Sequence, residues 1–111
     1  MRKLADSFKA LSDETRLQMM VLLLDNEELC VCDFVGALGL TQSKASRHLR
    51  YLYNTGFVED RRAGVWIHYR LAADLPSEQA ALLDALSRAV SEEEREALRR
   101  RLAHWRDNRI C

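Results

Sequence analysis

The sequence predicts a mainly α fold of the α+β kind, with five to six helices and one β-hairpin in a single domain. Three observations lead there. Two helix-forming segments are joined by Gly39-Leu40-Thr41, two strand-like segments flanking Gly64 follow directly, and basic charge is concentrated where these elements lie. A helix-turn-helix followed at once by a hairpin is the winged-helix arrangement. The chain has 111 residues, 48% of them hydrophobic, which suffices for one core and an apolar partner face.

The charge pattern says more than its total. Lys+Arg and Asp+Glu are 17 each, so the net charge is zero, which by itself argues against indiscriminate nucleic-acid binding. Residues 1–40 are net −3 and residues 72–111 net −1, whereas residues 41–71 are net +4, from Lys44, Arg47, Arg50, Arg61, Arg62 and Arg70 against Glu59 and Asp60. That segment is the expected electrostatic footprint of a double-stranded DNA partner. The chain has no apolar run of 18 residues, so no membrane span is expected. Met1-Arg2-Lys3-Leu4-Ala5-Asp6 lacks the apolar region of a signal peptide. Three cysteines, an odd count, suit thiol or metal chemistry in a reducing cytosol better than a disulfide scaffold, so the expected location is cytoplasmic.

The elements follow in order. Lys3–Leu11 carries Leu4, Phe8 and Leu11 at helical spacing and is too short to stand alone; a second copy of the chain is one candidate support. Ser12-Asp13-Glu14-Thr15 caps a helix to about Leu24, with Leu17, Met20, Val21 and Leu24 inward. After the turn Asp25–Glu28 comes a Cys-x-Cys segment, then a short helix to about Leu38, ended by Gly39 as a left-handed cap. Thr41 caps the next helix, about 41–55. Phe57–Arg62 and Val65–Leu71 read as strands joined by Ala63-Gly64, a wing over 57–71. Pro76-Ser77 opens a helix bearing Leu82, Leu83, Leu86 and Val90. Ser91-Glu92-Glu93-Glu94 is a capping box for a last helix with Leu98, Leu102 and Trp105. Residues 1–111 thus form one domain, with the helices of about 77–107 available for dimerisation.

As the second helix of the motif, 41–55 would enter the major groove with its N-terminal residues nearest the bases. Gln42 suits a bidentate bond to adenine and Arg47 one to guanine; Ser43, Lys44 and Ser46 suit phosphates or base edges. His48 and Arg50, one turn on, are assigned to the DNA backbone, and Arg61, Arg62 and Arg70 to wing contacts. His48, His68 and His104 have no ligand spacing to one another, and Trp66 and Trp105 read as packing.

Cys30 and Cys32 offer two thiolates to a soft ion. Residues i and i+2 of a helix project about 200° apart, whereas in extended backbone they point the same way. One ion can therefore bridge both sulfurs only where the backbone is non-helical, at or before the first helical turn. Taken alone the pair is equally a pair of structural thiols.

Glu28-Leu29-Cys30-Val31-Cys32-Asp33-Phe34 resembles the ELCVCDL metal-binding box of the ArsR-type metalloregulatory repressors. Phe8–Leu17 is similar to their first two helices and Thr41–Leu49 to their recognition helix, so the resemblance covers roughly residues 4–71. It implies a homodimeric winged-helix repressor whose dimer forms mainly through the first and last helices, with Leu4, Phe8, Leu82, Leu83 and Leu86 as interface residues. It further implies operator binding by the ion-free protein and release by an inducer. Members responding to arsenite often carry a third thiol where this chain has Val35; cadmium/lead members use N-terminal cysteines, absent from Met1–Asp6; zinc members use Asp and His of the last helix, where only His104 stands. The scarcity of ligands favours As(III), with Sb(III) second. Cys111 is the remaining candidate third thiolate, and Asp33 is either a weak oxygen ligand or a helix-cap charge. Cd/Pb sensing and thiol oxidation stand as alternative signals. An arsenate reductase is disfavoured, because no loop of glycines and arginines surrounds the cysteines to hold an oxyanion.

Overall fold

The computed structural model describes residues 1–109. Six helices, α1 (Arg2–Ala10), α2 (Glu14–Asp25), α3 (Val31–Leu38), α4 (Gln42–Thr55), α5 (Ser77–Ala89) and α6 (Glu92–Asn108), accompany three strands, β1 (Leu29–Cys30), β2 (Val58–Ala63) and β3 (Trp66–Leu71). The side-chain caps expected at Asp13, Thr41 and Ser91 form, but Ser91 and Glu94 make only the forward half of the expected capping box, Glu94 taking the Ser91 hydroxyl instead of its amide. Asp13 accepts from the Arg16 amide (3.0 Å), Thr41 from the Lys44 amide (3.2 Å) and Ser91 from the Glu94 amide (3.1 Å). Gly39 ends α3 at φ 65°, ψ 39°, a left-handed conformation that costs glycine least.

The wing is larger than the hairpin expected. Its sheet has the order β1-β3-β2, all antiparallel, with Leu29 opposite Tyr69 and Cys30 opposite His68. Two residues are too short to show an alternating pattern, so only the pairing defines β1. The hairpin turn lies one residue later than Ala63-Gly64: Ala63 pairs with Trp66, leaving Gly64-Val65 as the turn, with Gly64 at φ 64°. Putting the glycine first matches the right-handed twist of the strands.

The helices differ from expectation in which sides they bury. Met19, Met20, Val21, Leu22 and Leu23 are all buried, because α2 is the central helix with α3, α4, α5, α6 and β3 around it. On α1 the buried residues are Ser7 and Ala10, whereas Phe8 is 57% exposed. Small residues let α1 lie close to its neighbours, and Gln79 of α5 donates to both the Ser7 hydroxyl (3.1 Å) and the Thr55 carbonyl (2.8 Å). Leu83, expected at a dimer interface, is a core residue of the protomer at 4% exposure, since α5 turns it towards the central cluster; Leu82 and Leu86 are half-buried.

Contacts at both ends help to fix α6. Asp25 at the end of α2 takes Arg95 at 2.9 Å and Arg99 at 3.5 Å. The Arg95 hydrogen bond foremost, then the charges of both arginines, hold the Asp25 carboxyl below its ordinary value despite partial burial. Further along, the Trp105 ring lies so close to Gly36 of α3 that a Cβ there would meet it at 2.0 Å.

Candidate nucleic-acid interface and thiol pair

Helix α4 buries Ala45, Leu49 and Leu52 and leaves Gln42, Ser43, Lys44, Ser46, Arg47 and Arg50 exposed. Its polar residues thereby face outward from the first turn onward, the side a major groove would meet. Lys44 and Arg47 have no ion pair among the described residues, and Arg50 lies over the Tyr53 ring at 5.4 Å. His48 is placed differently. Only 22% of its side chain is exposed, and Nδ1 sits 3.2 Å from Arg16 Nη1 and 3.9 Å from Asp13.

Arg16 was not singled out by sequence, yet it joins three helices. It donates to the carbonyls of Ala10 (2.6 Å) and Lys9 (3.3 Å), reaches His48, and lies over the Tyr51 ring at 4.1 Å. No local pattern marks it, since His48 is 32 residues away.

On the wing, Arg61 donates through Nε to Glu28 at 3.2 Å, and His68 Nδ1 lies 3.5 Å from the same carboxylate. The Arg61 hydrogen bond foremost, with the charges of Arg61, His68 and Arg70, holds the Glu28 carboxyl below the usual range; Glu28 in turn raises Arg61. Arg70 pairs with Glu59 at 2.7 Å. Arg62 is exposed with no ion pair among the described residues, and Val65 and Trp66 are exposed at the tip.

Cys30 is the N-cap of α3, in extended conformation at φ −76°, ψ 154°, and Cys32 falls in the first turn. Their sulfurs lie 3.0 Å apart, beyond the ~2.05 Å of a disulfide. Two thiolates on one ion at ~2.3 Å bonds sit roughly 3.2–3.8 Å apart. The geometry therefore fits a shared ion with an opening of under ~1 Å. An ion does not have to draw these sulfurs together; it has to part them slightly. The Cys30 sulfur also accepts the Cys32 amide at 3.4 Å, so it caps α3.

Asp33 is occupied as a cap. Only 3% exposed, it accepts from the Cys30 amide (2.9 Å) through Oδ2, and from Trp105 Nε1 and Arg109 Nη1 (both 3.1 Å) through Oδ1. Its oxygens are committed to α3 and α6, not to an ion. No group of three or more His, Cys, Asp or Glu suited to a metal occurs among the described residues, and Cys111 lies outside them. His104 is exposed and bonds Asn108.

A recognition-type helix capped by Thr41, a three-stranded wing and a buried central helix define a winged-helix DNA-binding protein. The family profile described as bacterial regulatory protein, arsR family, matches residues 13–60. The "Arsenical resistance operon repressor" of Escherichia coli is 46% identical over 77% of this chain and 73% of its own length. Among solved structures, reduced HlyU from Vibrio cholerae superposes with a TM-score of 0.70 at 34% identity, over 82% of this chain and 92% of that one. The homodimeric winged helix-turn-helix DNA-binding domain of Mb0332 from Mycobacterium bovis gives 0.65 at 33% identity, over 77% of this chain and 75% of that one. The chain belongs to the arsR family of bacterial regulatory proteins. It is a transcriptional regulator and not an enzyme.

Proposed function

We propose that this protein represses transcription by binding operator DNA as a homodimer and is released when As(III), or secondarily Sb(III), is captured by Cys30 and Cys32. The observation that carries the reading is the pair of sulfurs 3.0 Å apart at the start of α3, in a chain 46% identical to an arsenical resistance operon repressor. Capture requires both thiols to lose their protons. Parting the sulfurs perturbs the N-cap of α3, and Cys30 is also a strand residue paired with His68 of the wing. The disturbance therefore starts where the helix-turn-helix and the wing meet. A coupling of about 1–3 kcal/mol would lower operator affinity roughly 5–150-fold, and bound operator would weaken As(III) binding by the same factor.

Cys111, outside the described residues, is the candidate third thiolate, from the same chain or from the partner subunit. The dimer is assigned to Leu4, Phe8, Leu82 and Leu86; the exposure of Phe8 on α1 supports it. DNA contacts are assigned to Gln42, Ser43, Lys44, Ser46, Arg47, Arg50, Arg61 and Arg62, with His48 supporting α4 from its inner side.

The test is a fluorescence-anisotropy titration of promoter DNA with arsenite, antimonite, Cd(II), Pb(II), Zn(II) and peroxide added separately. Release by arsenite or antimonite, lost in Cys30→Ser and Cys32→Ser while DNA affinity is kept, supports the reading. Release by peroxide alone moves the signal to thiol oxidation, and release by arsenite in the double mutant removes it from these cysteines.

A further inference from the structure

Glu28 occupies the guanidinium of an exposed wing arginine. It lies two residues before Cys30, immediately ahead of β1, and its carboxylate faces Arg61 of β2 and His68 of β3. Arg61 is more than half exposed, on the strand next to unpaired Arg62. A carboxylate and a phosphate oxygen make the same charge-assisted bonds to a guanidinium, so one cannot be satisfied fully while the other holds it. The neighbouring pair differs: Arg70 and Glu59 face each other across β3 and β2, a cross-strand pair within the hairpin itself. Glu28 instead reaches in from outside the hairpin, from the segment that carries the cysteines.

We infer that Glu28 is an internal competitor of DNA, holding Arg61 in the DNA-free protein and surrendering it to backbone phosphate when the wing docks. Operator binding then includes an exchange of anions at Arg61, and whatever shifts β1 alters how firmly Glu28 keeps its hold. The inference rests on the operator-binding reading and needs no metalloid.

The experiment is a double-mutant cycle, Glu28→Gln, Arg61→Gln and both together, on promoter duplex in the absence of any metalloid, across a series of KCl concentrations. Exposed ion pairs are weak, so Glu28→Gln should tighten binding by about two- to five-fold at low salt. The log K against log salt slope should change by less than ~0.9, the value of one phosphate contact, because Arg61 meets phosphate in the bound state of both proteins. In the Arg61→Gln background the same change should do almost nothing. Equal gains in both backgrounds would mean a general charge effect and overturn the inference, as would weaker binding by Glu28→Gln, which would make Glu28 a support for the wing. Glu28→Ala repeats the cycle with a different shape, and unfolding curves show that each variant folds. A wild-type chain that binds no promoter DNA sinks the operator reading and this inference together; additive effects in a chain that binds sink only this inference.

Discussion

The recognition helix and the wing carry the same kind of charge and hold it in opposite ways. Lys44 and Arg47 on α4 project from the protein with no ion pair among the described residues, while Arg61 and Arg70 on the wing are held by Glu28 and Glu59. The net +4 of residues 41–71 is therefore not one uniform surface. On α4 the charge is ready for a ligand; on the wing, part of it must first leave a carboxylate. Charge counted along a sequence measures supply, and pairing decides how much is available.

The comparison can be broken most forcefully at its foundation. Arg16→Ala removes the group that ties α1, α2 and α4 together, and should cost about 3 kcal/mol of stability in urea unfolding. If it leaves stability unchanged, α4 is not held from behind as described. Arg47→Ala should come next, with a loss of about 2 kcal/mol in operator binding and relaxed preference at one base position. Competition with operators substituted one base at a time would reveal it.

Asp25 allows the same question of pairing to be asked away from α4 and the wing. Arg95 and Arg99 lower the Asp25 carboxyl below its ordinary 3.8, so its stabilising contribution is complete above that value and is lost as pH falls through the lowered folded one. Asp25→Asn should cost about 1 kcal/mol at pH 7 and nearly nothing in strong acid, seen as merging unfolding midpoints. Smallest is Arg70→Ala. An exposed cross-strand pair should change stability by under ~0.5 kcal/mol, and its removal should shift DNA affinity less than Arg47→Ala does. A larger loss of affinity would show that Glu59 does not keep Arg70 from DNA.

Much of this molecule was legible because its boundaries are marked locally. Asp13, Thr41 and Ser91 cap helices within three residues of themselves, and Gly39 ends one by its own conformation. The proximity of Cys30 and Cys32 also follows from a short-range rule, that an extended residue before a helix can aim its side chain at the first turn. What stayed hidden depends on partners far along the chain. The strand β1 exists only because β3 lies beside it, and the roles of Arg16 and Glu28 require His48 and Arg61, 32 and 33 residues away. Asp33 read more readily as a cap than as a ligand, but its bonds to Trp105 and Arg109, 72 and 76 residues away, have no local signal. Leu83 had the same apolar character as Leu82 and Leu86, and only packing separates core from surface.

The indole of Trp105 fills the space where a methyl group at position 36 would stand. These two positions, 69 residues apart in the sequence, are therefore sterically interlocked. A side chain at 36 fits only if the ring at 105 shrinks or moves, and a ring held where it is requires glycine opposite. A helix that looks free to drift at a small, unremarked residue is in this way tied to the far end of the chain.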